Sequence, residues 1–185
     1  MDSRTHATVL MSGGIDSAAC AHFLRRQGFL VDAIFLDYGQ VAATLEVRAA
    51  MAFAHHLDLP MQRFALSGSE PFGSGELVGR NALLVFATLF LTRGRSGLLA
   101  LGLHAGTPYY DCSARFVTSI ATLVSEHTDG RVSVVAPFIE WTKKDVFDYF
   151  ISSKLPINIT YSCESGTDPA CGACASCRDR KALGC

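Results

Sequence analysis

Five short apolar runs set the frame of this chain: Ala7–Met11, Val31–Leu36, Met61–Leu66, Leu98–Leu103 and Val132–Pro137. They read as continuous buried strands, which need cover on both faces. Helical patterns fill the intervals: Asp16–Gln27 closed by Gly28, about Ala42–Leu57, Asn81–Thr92, Ser113–Glu126 with Ser113 as N-cap, and Thr142–Lys154 with Thr142 as N-cap. Strand and helix in alternation predict an α/β fold, a doubly wound, mostly parallel sheet with helices on both faces. The chain has 185 residues, enough for one domain with a real core. Its 49% hydrophobic and 18% charged residues exclude a disordered chain. A net charge of -1 argues against a basic nucleic-acid surface, so nucleic acid is not an expected partner. No run of 18 apolar residues predicts a membrane span. The first residues, "MDSRTHATVL", lack the apolar core of a signal peptide, so a cytoplasmic location is expected. In that compartment the seven cysteines read as ligands or buried thiols rather than disulfides.

Ligands of such sheets bind beyond the carboxyl ends of the strands. That edge carries "SGG", "DYGQ" and "LHAG". In "VLMSGGIDSAAC" a strand runs into Ser12, Gly13 and Gly14, then into a helix that opens with Asp16 and Ser17. Two glycines let backbone N–H groups approach an anion, and the helix adds its positive end. Ser12 and Ser17 add hydroxyl donors, so the loop suits phosphate or pyrophosphate. No Gly-Lys-Ser/Thr follows, which excludes a Walker motif. Asp16 suits orientation of the loop or a share in holding Mg²⁺ beside phosphates.

From Ser162 onward the composition shifts to Cys, Gly and Ala. Cys163, Cys171, Cys174 and Cys177 stand as C-x7-C-x2-C-x2-C. Four thiolates on two short turns suit a closed, structural Zn²⁺ site, with no open position for catalysis. An iron–sulfur cluster or disulfides are the alternatives. Arg178 and Arg180 offset the excess negative charge of the thiolates. Residues 1–158 are thus expected to form the nucleotide domain and 159–185 a metal-binding tail packed on it.

"SGGIDS" resembles the pyrophosphate loop of the PP-loop ATP pyrophosphatases, of the adenine nucleotide alpha-hydrolase-like fold. Together with "CGACASCRDR", "FLDYGQ", "GRN" (Gly79–Asn81), "YYDC" with Phe116, and Trp141 followed by Lys144, it resembles the 7-cyano-7-deazaguanine synthase family of the queuosine pathway. The likeness runs from about Val9 to Arg180. It implies an ATP-dependent C–N ligase: a deazaguanine carboxylate attacks the α-phosphate of ATP, ammonia displaces AMP, and a second ATP converts amide to nitrile. The implied ATP contacts are Ser12, Gly13, Gly14, Asp16, Ser17, Asp37, Gln40 and Asn81. The implied substrate contacts are Arg80, His104, Tyr109 and Asp111, with Asp111 on the ring edge. Asp16, Arg80 and Lys144 are the implied catalytic groups.

Three departures bear on the acceptor side. The stretch Leu66–Val78 is short beside the family's usual segment, Val41 and Ala42 stand where a basic pair is usual, and Ser113 stands where an Arg is usual. An open site exposes an acyl adenylate to water. A homodimer or a partner protein is therefore expected to complete the pocket. A trimmed homologue that stops at the amide, or joins the deazaguanine to an amine of a partner, is the alternative. A tRNA-modifying PP-loop enzyme is a further rival, which the near-neutral charge disfavours.

Overall fold

A computed structural model describes residues 5–66, 68, 71–73 and 75–185. Of the expected Gly/Ser-rich stretch before Gly79, Ser67, Ser69, Glu70 and Ser74 lie outside the described residues, as does Met1–Arg4.

The elements run β1 (His6–Leu10), α1 (Ile15–Arg26), β2 (Leu30–Asp37), α2 (Ala43–His56), β3 (Met61–Ala65), α3 (Arg80–Leu91), β4 (Gly97–Ala100), α4 (Ala114–His127), β5 (Val132–Val135), α5 (Lys143–Ser152) and α6 (Ala175–Ala182). The strands form one sheet in the order β3-β2-β1-β4-β5, with all four pairings parallel. The chain winds outward from β1 to β3, then returns to the other side of β1 as β4. The order therefore reverses between β1 and β4, and a crevice opens at their carboxyl ends.

Both faces are covered over the inner strands, as continuous apolar strands require, while the edge strand β3, with Gln62 and Arg63 in it, has no buried residue. One core gathers Val9, Met11, Ala18, Ala19, Phe53, Phe138, Val146 and Phe150, where α1, α2 and α5 meet the sheet. The other gathers Val85, Leu99, Phe116, Ile120, Val124 and Val134, beneath α3 and α4. Alanines and Cys20 on the buried side of α1 let that helix sit close to β1 and β2. Burial pushes the Cys20 thiol up to about 12, with the Asp16 charge adding to it, so it stays a neutral packing group.

The helix starts follow local chemistry. Ser113 caps α4 by accepting the Phe116 N–H. Thr142 and Asp145 form a reciprocal capping box on α5. β4 and β5 are shorter than the apolar runs suggest. Leu101 still donates its N–H to the Val135 carbonyl at 2.9 Å, and Gly102 and Leu103 then carry the chain into the crevice, where they line its wall. α6 is not announced by an apolar stripe, because Cys177 is its only buried residue.

Candidate active site

The loop after β1 is built by close packing. Gly13 adopts φ +84, and a Cβ there would lie 2.6 Å from the Glu46 carbonyl oxygen and 2.8 Å from the Ala50 nitrogen of α2. Only glycine fits, since both the backbone angle and the space exclude a side chain. Gly102, at the end of β4, meets the same limit against the start of α1: its Cβ would lie 2.7 Å from the Asp16 carbonyl oxygen. The two glycines draw α2 and β4 against the turn. Inside it the Ser17 hydroxyl donates to the Gly14 carbonyl at 3.1 Å and accepts the Ser12 N–H at 3.2 Å. Ser12 and Ser17 hydroxyls sit 3.2 Å apart.

A cleft of about 390 Å³ opens over this turn. Ser12, Gly14, Asp16 and Ser17 form its floor, Tyr38, Gln40 and Glu46 one side, and Arg80, Asn81 and Tyr109 another. Gly102–His104 and Lys143 close it beside β4. The tail supplies the remaining wall through Tyr161, Ser162, Glu164, Ser176 and Arg180.

The cation at the floor is Lys143. Its Nζ lies 2.7 and 2.5 Å from the two Asp16 carboxylate oxygens. His104 Nε2 approaches the same carboxylate at 3.9 Å, while its Nδ1 meets the Ala105 carbonyl at 2.7 Å. Lys144, the lysine chosen from sequence, points to solvent and pairs with Asp148 one turn on. A helix turns 100° per residue, so neighbouring lysines cannot share a face. Lys143 is three residues from buried Val146 and seven from buried Phe150, which puts it on the inward stripe of α5.

Asp111 is placed differently from the sequence expectation. It sits in a 3₁₀ turn, Tyr110–Cys112, and is buried. One carboxylate oxygen accepts the Asn81 N–H at 3.1 Å, in the first turn of α3, and the other takes the Cys112 thiol at 3.7 Å. Asn81 returns a bond from Nδ2 to the Asp111 carbonyl at 2.8 Å. An orphan N–H at a helix start is thus satisfied by an acid from thirty residues away, where negative charge is favoured. Asp111 and Asn81 lock the α3 entry, and Asp111 does not line the cleft, although Tyr109 and Cys112 do. Burial pushes the Cys112 thiol up to about 11, with Asp111 adding to it.

Asp37 also turns away. It pairs with Arg63 of β3 at 2.8 Å and accepts the Gly39 N–H. Gln40 stays in the cleft, where its Oε1 accepts the Tyr38 N–H and its Nε2 donates to Glu46 at 2.8 Å. Burial pushes the Glu46 carboxyl above the usual range, and the Gln40 bond and Arg80 only partly offset it. Arg80 donates Nε to Asn81 Oδ1 at 3.2 Å and lines the cleft. Glu46, Gly102 and Lys143 are site residues that sequence reasoning did not select.

In the tail, the sulfurs of Cys163, Cys171, Cys174 and Cys177 all lie within 4.8 Å of one another. Backbone N–H groups point at them: Cys171 N to Cys163 Sγ at 3.3 Å, and Ala173 and Cys174 N to Cys171 Sγ at 3.4 and 3.3 Å. Burial pushes the Cys163 thiol up, but the N–H groups of Cys171, Thr167 and Ser165 outweigh it and hold it below the usual thiol range, whereas burial and the neighbouring sulfurs push Cys177 up. Closely gathered sulfurs stabilised by N–H donors fit one metal ion. Among the described residues two hydrogen bonds tie the tail to the cleft, and Gly166 packs so closely on the Val41 carbonyl that a Cβ there would clash. Tyr161 N donates to the Gly13 carbonyl at 3.0 Å. Glu164 accepts the Ser176 N–H at 2.9 Å and the Gly75 N–H at 3.3 Å, joining the tail to the loop before α3.

The sheet order and the turn at its switch point define an α/β fold of the PP-loop type. The fold is shared with a structure described as a predicted subunit of tRNA methyltransferase from Methanocaldococcus jannaschii, with TM-score 0.53, 17% identity, 77% of this chain and 74% of that one. The profile of the family described as queuosine biosynthesis protein QueC matches residues 6–82 and 76–183. The 7-cyano-7-deazaguanine synthase of Synechococcus sp. (strain CC9311) is 32% identical, over 94% of this chain and 90% of its own length. That of Synechococcus sp. (strain RCC307) is 32% identical over 98% and 94%, and that of Haloarcula marismortui 28% over 97% and 90%. This chain belongs to the QueC family.

Proposed function

We propose that the protein is an ATP-dependent ligase that activates a 7-deazaguanine carboxylate and passes the acyl group to ammonia. The observation that carries this is the convergence of the Ser12–Ser17 turn, Lys143 and the four-cysteine tail on one cleft, in a chain of this family. The acceptor carboxylate oxygen attacks the α-phosphorus of ATP, the bond to the β-phosphate breaks, and pyrophosphate leaves. Ammonia attacks the acyl carbon and AMP leaves, giving the amide. The amide oxygen then attacks the α-phosphorus of a second ATP, a second pyrophosphate leaves, and loss of AMP and two protons from the adduct gives the nitrile. The chain's part is positioning and charge stabilisation. Ser12, Gly14 and Ser17 offer donors to the pyrophosphate. Asp16, held by Lys143, is placed to orient a phosphate-bound Mg²⁺, which would neutralise charge when bound. Arg80 serves the phosphates or the carboxylate, while His104, Gln40 and Tyr109 shape the pocket. Cys163, Cys171, Cys174 and Cys177 hold a structural Zn²⁺ ion that orders residues 159–185 against the domain of residues 1–158.

A second reading, in which the reaction stops at the amide or joins the base to a partner's amine, is favoured by the reach of the alignment. The match to the Synechococcus CC9311 enzyme runs over 203 residues yet takes up 94% of a 185-residue chain, so the relative carries extra residues inside the matched region. The two family-profile matches overlap at residues 76–82, just before and within the start of α3. A shorter wall there leaves the cleft to be completed by a second copy or a partner in the cytoplasm. Metal-loaded protein incubated with ATP, ammonia and 7-carboxy-7-deazaguanine, read by mass spectrometry, decides between these. Nitrile supports the full reaction, amide or a protein-bound deazaguanine supports the second reading, and no adenylate and no product, with and without a partner protein, would refute both.

A further inference from the structure

The tail brings a cation to the phosphate side of the cleft. Arg180 sits on α6, three residues beyond the metal-cluster residue Cys177, so both share one side of the helix. The sequence suggests that it offsets the thiolate charge, but its hydrogen bonds go to the 160–162 segment. Its Nη1 donates to Thr160 Oγ1 at 3.0 Å, to Ser162 Oγ at 3.4 Å and to the Thr160 carbonyl at 3.5 Å. Arg178 instead faces outward and bonds the Ala173 carbonyl.

Those partners lie against the Ser-Gly-Gly turn. Tyr161, between them, donates its N–H to the Gly13 carbonyl at 3.0 Å. A methyl group built on Gly14 would stand 3.7 Å from the Tyr161 carbonyl oxygen and 3.9 Å from Ser162 Cβ. The guanidinium is therefore pinned, by one nitrogen, beside the anion-binding floor, and it lines the cleft. A guanidinium carries five N–H donors. Among the described residues, Nε and Nη2 of Arg180 have no acceptor. The other cleft cations are committed differently: Lys143 to both oxygens of Asp16, and Arg80 through Nε to Asn81.

A half-buried guanidinium with one edge fixed and the other open is the geometry that takes phosphate oxygens in pairs. We propose that Arg180 binds the pyrophosphate portion of the nucleotide, and that the four-cysteine cluster serves the reaction by presenting this residue. The proposal rests on the ATP-dependent reading above. Charge grows on the β-phosphate oxygen as the α–β bond breaks, so a fixed cation there favours departure of pyrophosphate over retention of ATP.

Inorganic pyrophosphate and AMP are the probes, titrated by calorimetry into wild-type, Arg180→Gln and Arg180→Lys proteins loaded with metal. Metal content and thermal melts are measured alongside. The expected result for Arg180→Gln is unchanged metal content, a cooperative melt, pyrophosphate affinity weakened about tenfold or more, and AMP affinity within about twofold of wild type. Arg180→Lys should recover part of the loss, since it restores charge without the fork. Unchanged pyrophosphate affinity in Arg180→Gln would overturn the proposal. So would equal weakening of AMP, or loss of metal or of the melt, since each marks a structural tie. Failure of the wild type itself to bind pyrophosphate would instead strike the ATP-dependent reading, and this proposal with it.

Discussion

The turn after β1 and the four-cysteine tail face each other across one cleft, yet they are ordered by different means. The turn is held by packing and backbone: Gly13 leaves no room against α2, Gly102 none against α1, and Ser17 bonds within the turn. The tail has little to bury. In α6 only Cys177 is buried, and the segment from Cys163 to Cys177 is organised around sulfur rather than around apolar side chains. One half of the site is preorganised by the core, and under the proposed function the other takes its order from an ion. Such a short segment cannot offset its own conformational entropy without a staple. The Tyr161–Gly13 and Glu164–Gly75 bonds are where order passes from one half to the other.

The largest expected effect comes from removing that staple. Chelation, or Cys163→Ser, should strip amide-exchange protection from about residue 162 to the end, because metal binding and local folding are one free energy, on the order of 10 kcal/mol for a structural zinc. Strands β1, β2 and β4 should keep their protection. Loss of protection throughout the sheet would break the contrast between the two halves.

On the turn itself, Asp16→Ala or Lys143→Ala should lower AMP formation about 10²–10³-fold with little change in the melt. Lys144→Ala should leave the rate within about twofold, since an exposed i,i+4 pair with Asp148 contributes little. Steady-state rates of the three variants check this. A larger loss from Lys144→Ala than from Lys143→Ala would contradict the placement of α5.

Gly13→Ala tests the packing directly. The strained backbone and the 2.6 Å approach to the Glu46 carbonyl together should cost about 3 kcal/mol in urea unfolding. Metal content should stay near wild type, because all four sulfurs come from the tail itself and a bound ion would hold them together. A cost below about 1 kcal/mol would show that α2 yields and that the turn is not fixed by it.

The smallest effect concerns pH. Burial raises the Glu46 carboxyl in the folded state. Folding then binds its proton more tightly, so this group favours the folded state below its unfolded pKa, and the contribution is lost as pH rises through the folded value. Relative to wild type, Glu46→Gln should therefore be more stable at pH 8 than at pH 4. The opposite trend in melts across that range would mean the carboxylate is stabilised by Arg80 rather than penalised by burial.

Much of this was legible in the chain. A strand, two glycines and a helix start give the turn, and C-x7-C-x2-C-x2-C gives the sulfur cluster. Both signals are local, with all their parts within a few residues. The Lys143 assignment was legible in principle, because its three-residue spacing from Val146 puts it on the buried stripe of α5. The short Leu66–Val78 stretch also showed directly. The roles of Asp111 and Asp37 were not legible. Asp111 is spent on an N–H thirty residues earlier in the chain, and Asp37 on Arg63 of the next strand. Pairings of that kind are set by tertiary packing, which no spacing encodes. Glu46 and Arg180 were missed for the same reason, since each enters the cleft only because α2 and α6 pack against the Gly13 turn and the 160–162 segment.

The most direct test of a single AMP-forming site built from both halves is acceptor-dependent exchange of labelled pyrophosphate into ATP, before and after chelation. Metal-loaded protein should catalyse exchange only when 7-carboxy-7-deazaguanine is present. Chelated protein, with its sheet still protected, should lose at least about 10²-fold of that rate, because the tail wall and Arg180 leave the cleft. Exchange that survives chelation unchanged would contradict the joint site, and release of ADP and orthophosphate in place of AMP and pyrophosphate would contradict the chemistry.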